Sequence, residues 1–456
     1  MRISETNRPM WVLTASSAVL GLVVLDETIV GVALPTIRTD LSMSAVESHW
    51  VVNAYLLTFT CFLAVGGKLG DMFGRRTVFP IGAAIFLAGS LLAGAAPSGG
   101  WLIAARALQG IGAAVTFPAS MAILTHTFPP EKRGFAFGAM TTIAGCFMAA
   151  GPLVGGVFSE TVSWRWIFLI NLPIVILNVG ALWLTYREPA PAYPDARALG
   201  LTRFDYPGLA TLVAGLTAIT IGLMQSTDWG WTSPATLLAL AVGVAALIAF
   251  VAIELKRRAP LIELDLLAIP TFTGGNIVFA IFQAEKMILF IFVALYLQHV
   301  LHRSPIEAGI LISIAILPTL LTSRSAGKAR DTYGSRLPLA VALVVTAACI
   351  AALALAVQVE SLWLIGAIMV VWGAVMPGIA VTARPALMGA VSSDKQGQAS
   401  GVNLSIQMLG GTLAIAMSST LLIVTESYGL VFAITAAMTL AGAFIAWAMV
   451  ERPGRG

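Results

Sequence analysis

Charged side chains are scarce in this chain. Asp, Glu, Lys and Arg together make up 11% of its 456 residues, whereas soluble proteins contain about a quarter. Apolar side chains make up 58%, and the mean hydropathy is +0.90. These values exclude an ordinary water-soluble protein. We therefore expect the chain to lie in a lipid bilayer, where its length divides into membrane spans rather than into soluble domains.

Cysteine and histidine are also scarce, with three and four residues. Cys61, Cys146 and Cys349 lie inside apolar runs without metal-ligand spacing, so neither a disulfide framework nor a zinc site is indicated. His299 and His302 are close in sequence, but they are more typical of a solvated outer loop than of a ligand set. The sequence offers no metal-type cluster and no extended polar loop for a catalytic centre. We predict that the chain is not an enzyme and uses no cofactor.

Long apolar runs are what the sequence has in abundance. At roughly 20 residues per crossing we count about fourteen of them. This predicts an all-α polytopic membrane protein with both termini on the same side. The first run carries Asp26 and Glu27 and is not followed by a small-residue cleavage signal, so we expect a retained first span rather than a signal peptide.

The basic residues indicate the orientation. The net charge of +4 is carried by short loops between apolar runs, which is a topology signal rather than a nucleic-acid-binding surface. The main basic clusters lie at 68–76, 256–258 and 324–336. With a cytoplasmic N-terminus most Lys and Arg residues fall inside, and only Arg38, Arg165 and Arg303 fall outside. The sequence therefore predicts cytoplasmic N- and C-termini.

A ten-residue pattern occurs twice in the chain. Residues 67–76 follow the second run and residues 327–336 follow the tenth, with Gly, Lys, Asp, Gly and Arg in register. About eight spans of roughly 32 residues fill the interval, so the last six spans are predicted to repeat the first six. We predict an N-terminal six-helix bundle at 1–188, a linker with two extra transmembrane helices at 189–260, and a C-terminal six-helix bundle at 261–456.

These residues resemble the major facilitator superfamily, specifically its fourteen-helix branch of drug:proton antiporters, the QacA-like and EmrB-like multidrug exporters. The resemblance covers nearly the whole chain, and the motifs follow one another in the family's order. They lie at 25–35, 50–57, 67–76, 106–110, 151–156, 164–173, 204–208 and 397–411. The resemblance implies export of small amphipathic, often cationic compounds in exchange for protons, by alternating access between the two bundles of a bacterial inner (plasma) membrane protein.

The repeated loop is implied to be a conformational latch between the bundles. Its residues in the two copies are Gly67, Asp71, Gly74, Arg75, Arg76, Asp331 and Arg336. Glycines allow close backbone approach, and an Asp near a helix end can pair with the arginines. An ordinary solvated basic loop would explain the arginines but not the Gly-Asp-Gly spacing. Met72 stands where the family has a basic residue.

The fifth run contains the antiporter motif, with Gly151, Pro152, Gly155 and Gly156. Small residues allow a neighbouring helix to pack closely, and the proline bends the axis. Small-residue packing without any antiport role would look the same, and it is the resemblance that favours antiport. Phe147 stands where another glycine is expected, which predicts a narrower packing groove.

Embedded charges give the main functional prediction, because each costs roughly 2.5 to 3.5 kcal/mol near mid-bilayer. Asp26 lies about 24 Å into the first span, at about 1.5 Å per residue, and Arg106 lies at similar depth in the fourth. We predict a proton-responsive pair in which Asp26 or Glu27 takes up a proton when Arg106 moves away. Asp26 matches the family signature, whereas Glu27 could face a cationic substrate. A static ion pair that fixes helix packing is the alternative.

Further polar and aromatic side chains in the spans are candidates for a substrate cavity. They are Trp50, Asn53, Gln109, Phe117, Gln283, Glu285, Lys286, Asn403 and Gln407. Glu285 and Lys286 mirror the acids of the first span, with a locally compensated pair as the alternative. Asn403 and Gln407 share one helix face, where bonding to a neighbouring helix is favoured over ligand binding. Ile406 replaces a family arginine.

Two other functions are kept open. The first is a dedicated exporter of one antibiotic, amino acid or lipid metabolite, and the second, disfavoured, is a membrane sensor or enzyme. Neither Gly-Lys site continues into a phosphate-binding loop, so the proton gradient rather than ATP is expected to drive transport. Expected partners are a small-molecule substrate, protons and the lipid bilayer, without nucleic acid. Docking of a periplasmic adaptor to the short outer loops is left open.

Overall fold

The computed structural model describes residues 7–187, 205–257, 260–261, 264–392 and 395–450, except for the side chains at 71, 130–131, 133–134 and 396–398. Within those residues the regular structure is helical, and fourteen helices are long and apolar enough to cross a membrane. The predicted all-α polytopic fold is confirmed.

The helices follow one another with short connections. The first six spans are α1 (Arg8–Asp40), α2 (Ala45–Phe73), α3 (Arg75–Gly94), α4 (Gly99–Thr127), α5 (Pro130–Thr161) and α6, formed by Trp166–Leu169 and Asn171–Thr185. The next two are α7 (Tyr206–Trp229) and α8 (Pro234–Glu254), followed by a short 3-10 helix, Leu264–Ala268. The last six are α9 (Pro270–His299), α10 (Pro305–Ile316 and Pro318–Tyr333), α11 (Arg336–Val359), α12 (Leu362–Gly389), α13 (Gln396–Thr425) and α14 (Tyr428–Met449).

The chain divides into two compact units, Met1–Leu209 and Ala210–Gly456. In the first unit α4 packs against α2 and α3, and α1 packs against α5. The second unit repeats this pattern, because α12 packs against α10 and α11, and α9 packs against α13. The internal repeat read from the loop pattern is therefore present in helix packing. The linker at 188–204 lies outside the described residues, and its assignment with α7 and α8 as an insert stays a prediction.

The repeat extends to the helix caps. At the start of α2, Glu47 N donates to Ser44 Oγ at 3.1 Å while Ser44 N donates to the Glu47 carboxylate at 2.8 Å. At the start of α10, Glu307 N donates to Ser304 Oγ at 3.2 Å and Ser304 N donates to Glu307 at 2.9 Å. Each capping box satisfies two backbone donors that the first helical turn leaves open. The two spans that correspond in the repeat, α2 and α10, thus begin in the same way.

The two glycines that end the repeated loop pattern have a backbone reason. Gly74 has a φ of 86° and Gly334 a φ of 74°, a region that side chains with a Cβ rarely adopt. Gly74 ends α2 and precedes α3, and Gly334 ends α10 and precedes α11. The glycines allow a tight reversal between consecutive spans.

Candidate functional site

Asp26 of α1 and Arg106 of α4 form a buried salt bridge between Oδ2 and Nη1, and both residues are 0% exposed. Their helices bring together residues that are 80 positions apart in sequence. Arg106 Nε also donates to the Val51 carbonyl oxygen of α2 at 3.0 Å. Leaving either charge without its partner would be costly in a medium of low polarity, so the pair holds α1, α2 and α4 together.

Gln109 extends the pair into a network. Its side-chain oxygen accepts from Arg106 at 2.7 Å, and its Nε2 donates to Asp26 Oδ1 at 3.0 Å and to Ser90 Oγ of α3 at 3.0 Å. Asn171 of α6 donates to the same Ser90 oxygen at 3.3 Å. The network therefore spans five helices. Gln109 was predicted to line a substrate cavity, and the structure places it beside the ion pair.

Aromatic rings enclose the guanidinium group. The Tyr55 ring lies 4.3 Å from the Arg106 Cζ atom, and the Phe168 ring lies 5.7 Å from it. Such cation–π contacts stabilise a desolvated arginine. Glu27 is 4% exposed and lies about 100° around α1 from Asp26.

Ser90, Asn171, Tyr55 and Phe168 were not predicted as site residues. Ser90 and Asn171 carry one usable signal, since a polar side chain in an apolar run needs a hydrogen-bond partner. Tyr55 and Phe168 carry none, because aromatic residues are common in all spans.

The antiporter motif of α5 packs on the part of α1 that carries the two acids. A Cβ on Gly151 would come within 2.0 Å of Thr28 Oγ1, and one on Gly155 would come within 2.5 Å of the Ile29 carbonyl oxygen. Pro152 lies inside the helix and Gly156 is also buried. The motif lets the two backbones approach next to Asp26.

The Phe147 side chain is accommodated between α5 and α1, although its size predicted a narrower packing groove at this position. Its ring packs on Gly21 of α1, where a Cβ would come within 2.7 Å of the ring. The missing glycine on α5 is thus compensated by a glycine on α1. The sequence of α5 alone carries no signal of this exchange, because the compensating glycine is on α1.

Gly155→Ala is expected to destabilise the protein by about 1 to 3 kcal/mol, because the added methyl group meets a backbone oxygen that cannot rotate away. Thermal unfolding of the purified variant in detergent measures the change. Gly180→Ala of α6 is the matched control, since its Cβ would have nothing within 4 Å. The control should gain up to about 1 kcal/mol from the higher helix propensity of alanine. Equal unfolding temperatures for the two variants would contradict the packing assignment.

In the second unit, amide side chains link α9 and α13. Asn403 donates to Asn276 at 3.1 Å, and Gln407 donates to Gln283 at 3.2 Å. Asn403 and Gln407 therefore bond to a neighbouring helix, the arrangement that the sequence favoured. Asn276 was not among the predicted site residues.

Glu285 lies inside the second unit. It is 0% exposed, and its Oε2 accepts from Thr439 Oγ1 of α14 at 2.9 Å. Lys286, the next residue, is 7% exposed, but Glu285 forms no salt bridge with any residue that the structure describes. A locally compensated Glu285–Lys286 pair is therefore not observed.

The remaining cavity candidates lie in the first unit. Asn53 of α2 is 0% exposed, and Trp50 is half-buried one turn before it. Phe117 of α4 packs edge-on against Phe59, with ring centroids 5.9 Å apart. Their assignment to a substrate cavity stays a prediction.

The repeated loop places its last arginine on a tryptophan in both units. Arg76 lies 5.0 Å from the Trp183 ring and donates to the Trp183 carbonyl oxygen at 3.2 Å. Arg336 lies 4.4 Å from the Trp447 ring. Each arginine therefore ties its loop to the last helix of its own bundle.

The other residues of the predicted latch lie at or near the same loops. Gly67 lies within α2, and Arg75 begins α3. Asp331 pairs with its neighbour Arg330 at 2.5 Å. The Asp71 side chain lies outside the described part, so the latch stays a prediction. Within the described residues no three His, Cys, Asp or Glu side chains converge to hold a metal ion.

Comparisons with known proteins agree with this architecture. The family model of the Major Facilitator Superfamily matches residues 17–260 and 275–456. The chain is 34% identical over 426 residues to a puromycin resistance protein of Streptomyces alboniger, which covers 91% of this chain and 82% of that protein. It is also 39% identical over 311 residues to a cephamycin export protein of Amycolatopsis lactamdurans. This match covers 68% of this chain and 63% of that protein, which is less than two thirds of the relative's length.

A solved structure shows the same fold. A D-xylose-proton symporter superposes with a TM-score of 0.69 over 97% of this chain and 98% of that chain, at 14% sequence identity. At this identity the likeness concerns the fold alone.

Proposed function

The chain belongs to the major facilitator superfamily, and from that premise we propose that it is a proton-coupled exporter of small amphipathic compounds. It is a multi-pass membrane protein. We place it in a bacterial inner membrane with both termini in the cytoplasm, because the basic loops then lie inside. Relatives named for antibiotic export and resistance support the substrate class.

The buried Asp26–Arg106 pair carries the proposal. An acid and an arginine in the interior of a membrane bundle are seldom retained for packing alone. Proton binding to Asp26 would neutralise it and weaken its hold on Arg106, which keeps its bonds to Val51 and Gln109. Loss of the proton would restore the pair. The contact between α1 and α4 would thus follow the protonation of one carboxyl group.

The packing of α5 on α1 supports coupling to a conformational change. The α5 motif lies against Thr28 and Ile29, within one turn of Asp26. Movement of α1 after protonation would therefore act on α5 directly. No cofactor is needed in this scheme, because the proton gradient supplies the free energy.

A dedicated exporter is the second candidate. The puromycin and cephamycin relatives are each named for a single antibiotic. These names support a narrow substrate range.

Purified protein in liposomes tests both candidates without any adaptor or nucleotide. An imposed pH gradient is expected to drive accumulation of at least one compound from a panel of puromycin, a cephamycin and ethidium, and a protonophore should abolish it. Accumulation of several unrelated compounds would support multidrug export, and accumulation of one would support the dedicated exporter. If the gradient moves no compound, in either direction and with any panel member, the proposal is wrong.

A further inference from the structure

Glu285 is a buried carboxyl group of the second unit, and its surroundings differ from those of Asp26. Its Oε2 accepts from Thr439 at 2.9 Å, and its Oε1 has no hydrogen-bond partner among the described residues. The residue is 0% exposed. Asp26, by contrast, has a partner on each oxygen, one of them a guanidinium group.

The helices around Glu285 carry few charges. Neither α14 nor α13 contains Asp, Glu, Lys, Arg or His. Cys349 is the titratable residue in the middle of α11, and it is not a cation. The single arginine of α12, Arg384, lies over the ring of Phe279, and the Phe279 backbone is about 9 Å from that of Glu285 along α9, at about 1.5 Å per residue. Lys286 points about 100° away from it around α9.

The other titratable side chains on α9, on the 3-10 helix, on the Pro305–Ile316 part of α10 and on α11 to α14 stand near helix ends. They are Asp265, Tyr296, His299, Glu307, Arg336 and Tyr428. An ionised Glu285 would therefore be a buried charge without a salt bridge to any residue that the structure describes, and such a charge is costly.

The hydroxyl group of Thr439 has too few hydrogens to serve both of its neighbours if Glu285 is ionised. Its Oγ1 lies 2.9 Å from Glu285 Oε2 and 3.0 Å from the Thr435 carbonyl oxygen. A hydroxyl has one hydrogen, and neither a carboxylate nor a carbonyl can donate one. With Glu285 ionised, Thr439 could serve only one of these two acceptors. With Glu285 protonated, the carboxylic acid donates to Thr439, and Thr439 donates to Thr435.

We propose that Glu285 binds a proton in this conformation and that the neutral carboxylic acid donates a hydrogen bond to Thr439 Oγ1. It is then a proton-binding site of the second unit, separate from Asp26. Its use in transport rests on the proposed proton-coupled export, whereas its protonation does not.

Infrared spectroscopy of the purified protein tests the site, because a protonated carboxylic acid has its own carbonyl stretch, which shifts in D2O. At neutral pH the wild-type protein is expected to show such a band, and Glu285→Gln should lack it. Thr439→Val keeps the side-chain volume but removes the hydrogen-bond acceptor, so the band should move to higher frequency. Glu360→Gln, at an exposed position after α11, is the control and should leave the band unchanged.

Spectra of wild-type protein and Glu285→Gln that coincide at every pH would overturn the proposal. So would a band that Thr439→Val does not move, and this second variant decides the matter if Glu285→Gln fails to fold. The measurement needs neither substrate nor gradient. A band at neutral pH without pH-driven transport would leave the proton site standing and remove the proposed function. Transport without the band would leave the proposed function standing and remove the proton site.

Discussion

Asp26→Asn is expected to abolish uphill export, reducing pH-driven substrate accumulation in liposomes to the level of protein-free vesicles. Asp26 accepts from Gln109 on Oδ1 and from Arg106 on Oδ2. An asparagine offers one acceptor in place of two, binds no proton at this position, and leaves the buried guanidinium group without a counter-charge. Substrate exchange at equal pH on both sides does not require net proton movement. It should therefore persist in the folded fraction of the variant.

Asp40→Asn is the matched control on the same helix. Asp40 pairs with Arg165 at 2.8 Å, but its side chain is 47% exposed. An exposed pair of this kind contributes about 0 to 1 kcal/mol, so export by this variant should be close to that of the wild type. Uphill export by Asp26→Asn at the wild-type rate, with substrate-induced proton release, would contradict a coupling role for Asp26.

The number and order of the spans could be predicted from the sequence because hydropathy reports them directly. Asp26 and Arg106 could also be placed at one depth, since depth follows from counting residues along a span. A contact between them could then be expected, because pairing lowers the free-energy cost of placing two charges inside the membrane. The capping boxes at Ser44 and Ser304 also follow a sequence pattern, Ser-x-x-Glu before an apolar run.

What could not be predicted is the direction in which a side chain points around its helix. Glu285 and Lys286 are adjacent in sequence, and nothing in an apolar run specifies that the former faces Thr439 of α14. The same holds for Ser90, whose hydroxyl accepts from both Gln109 and Asn171. Such contacts depend on helix rotation, which is set by packing between helices far apart in sequence.

The alternative explanation of the Asp26–Arg106 pair is a static ion pair that only fixes helix packing. A double variant distinguishes this role from proton coupling. Removing one partner of a buried ion pair costs about 3 to 5 kcal/mol, because the other charge is left uncompensated. Asp26→Asn and Arg106→Gln should therefore each lower the unfolding temperature. The combined variant has no buried charge at this position, and we expect it to recover most of the lost stability.

Export should not recover with stability. The combined variant has no carboxyl group to bind a proton at this position, so it should fold, bind substrate and exchange it, yet fail to accumulate it against a gradient. Thermal unfolding and liposome transport, measured on the wild type, the two single variants and the combined one, complete the cycle. If the neutral pair restores uphill export together with stability, Asp26 and Arg106 only hold α1 against α4, and the proton must bind elsewhere.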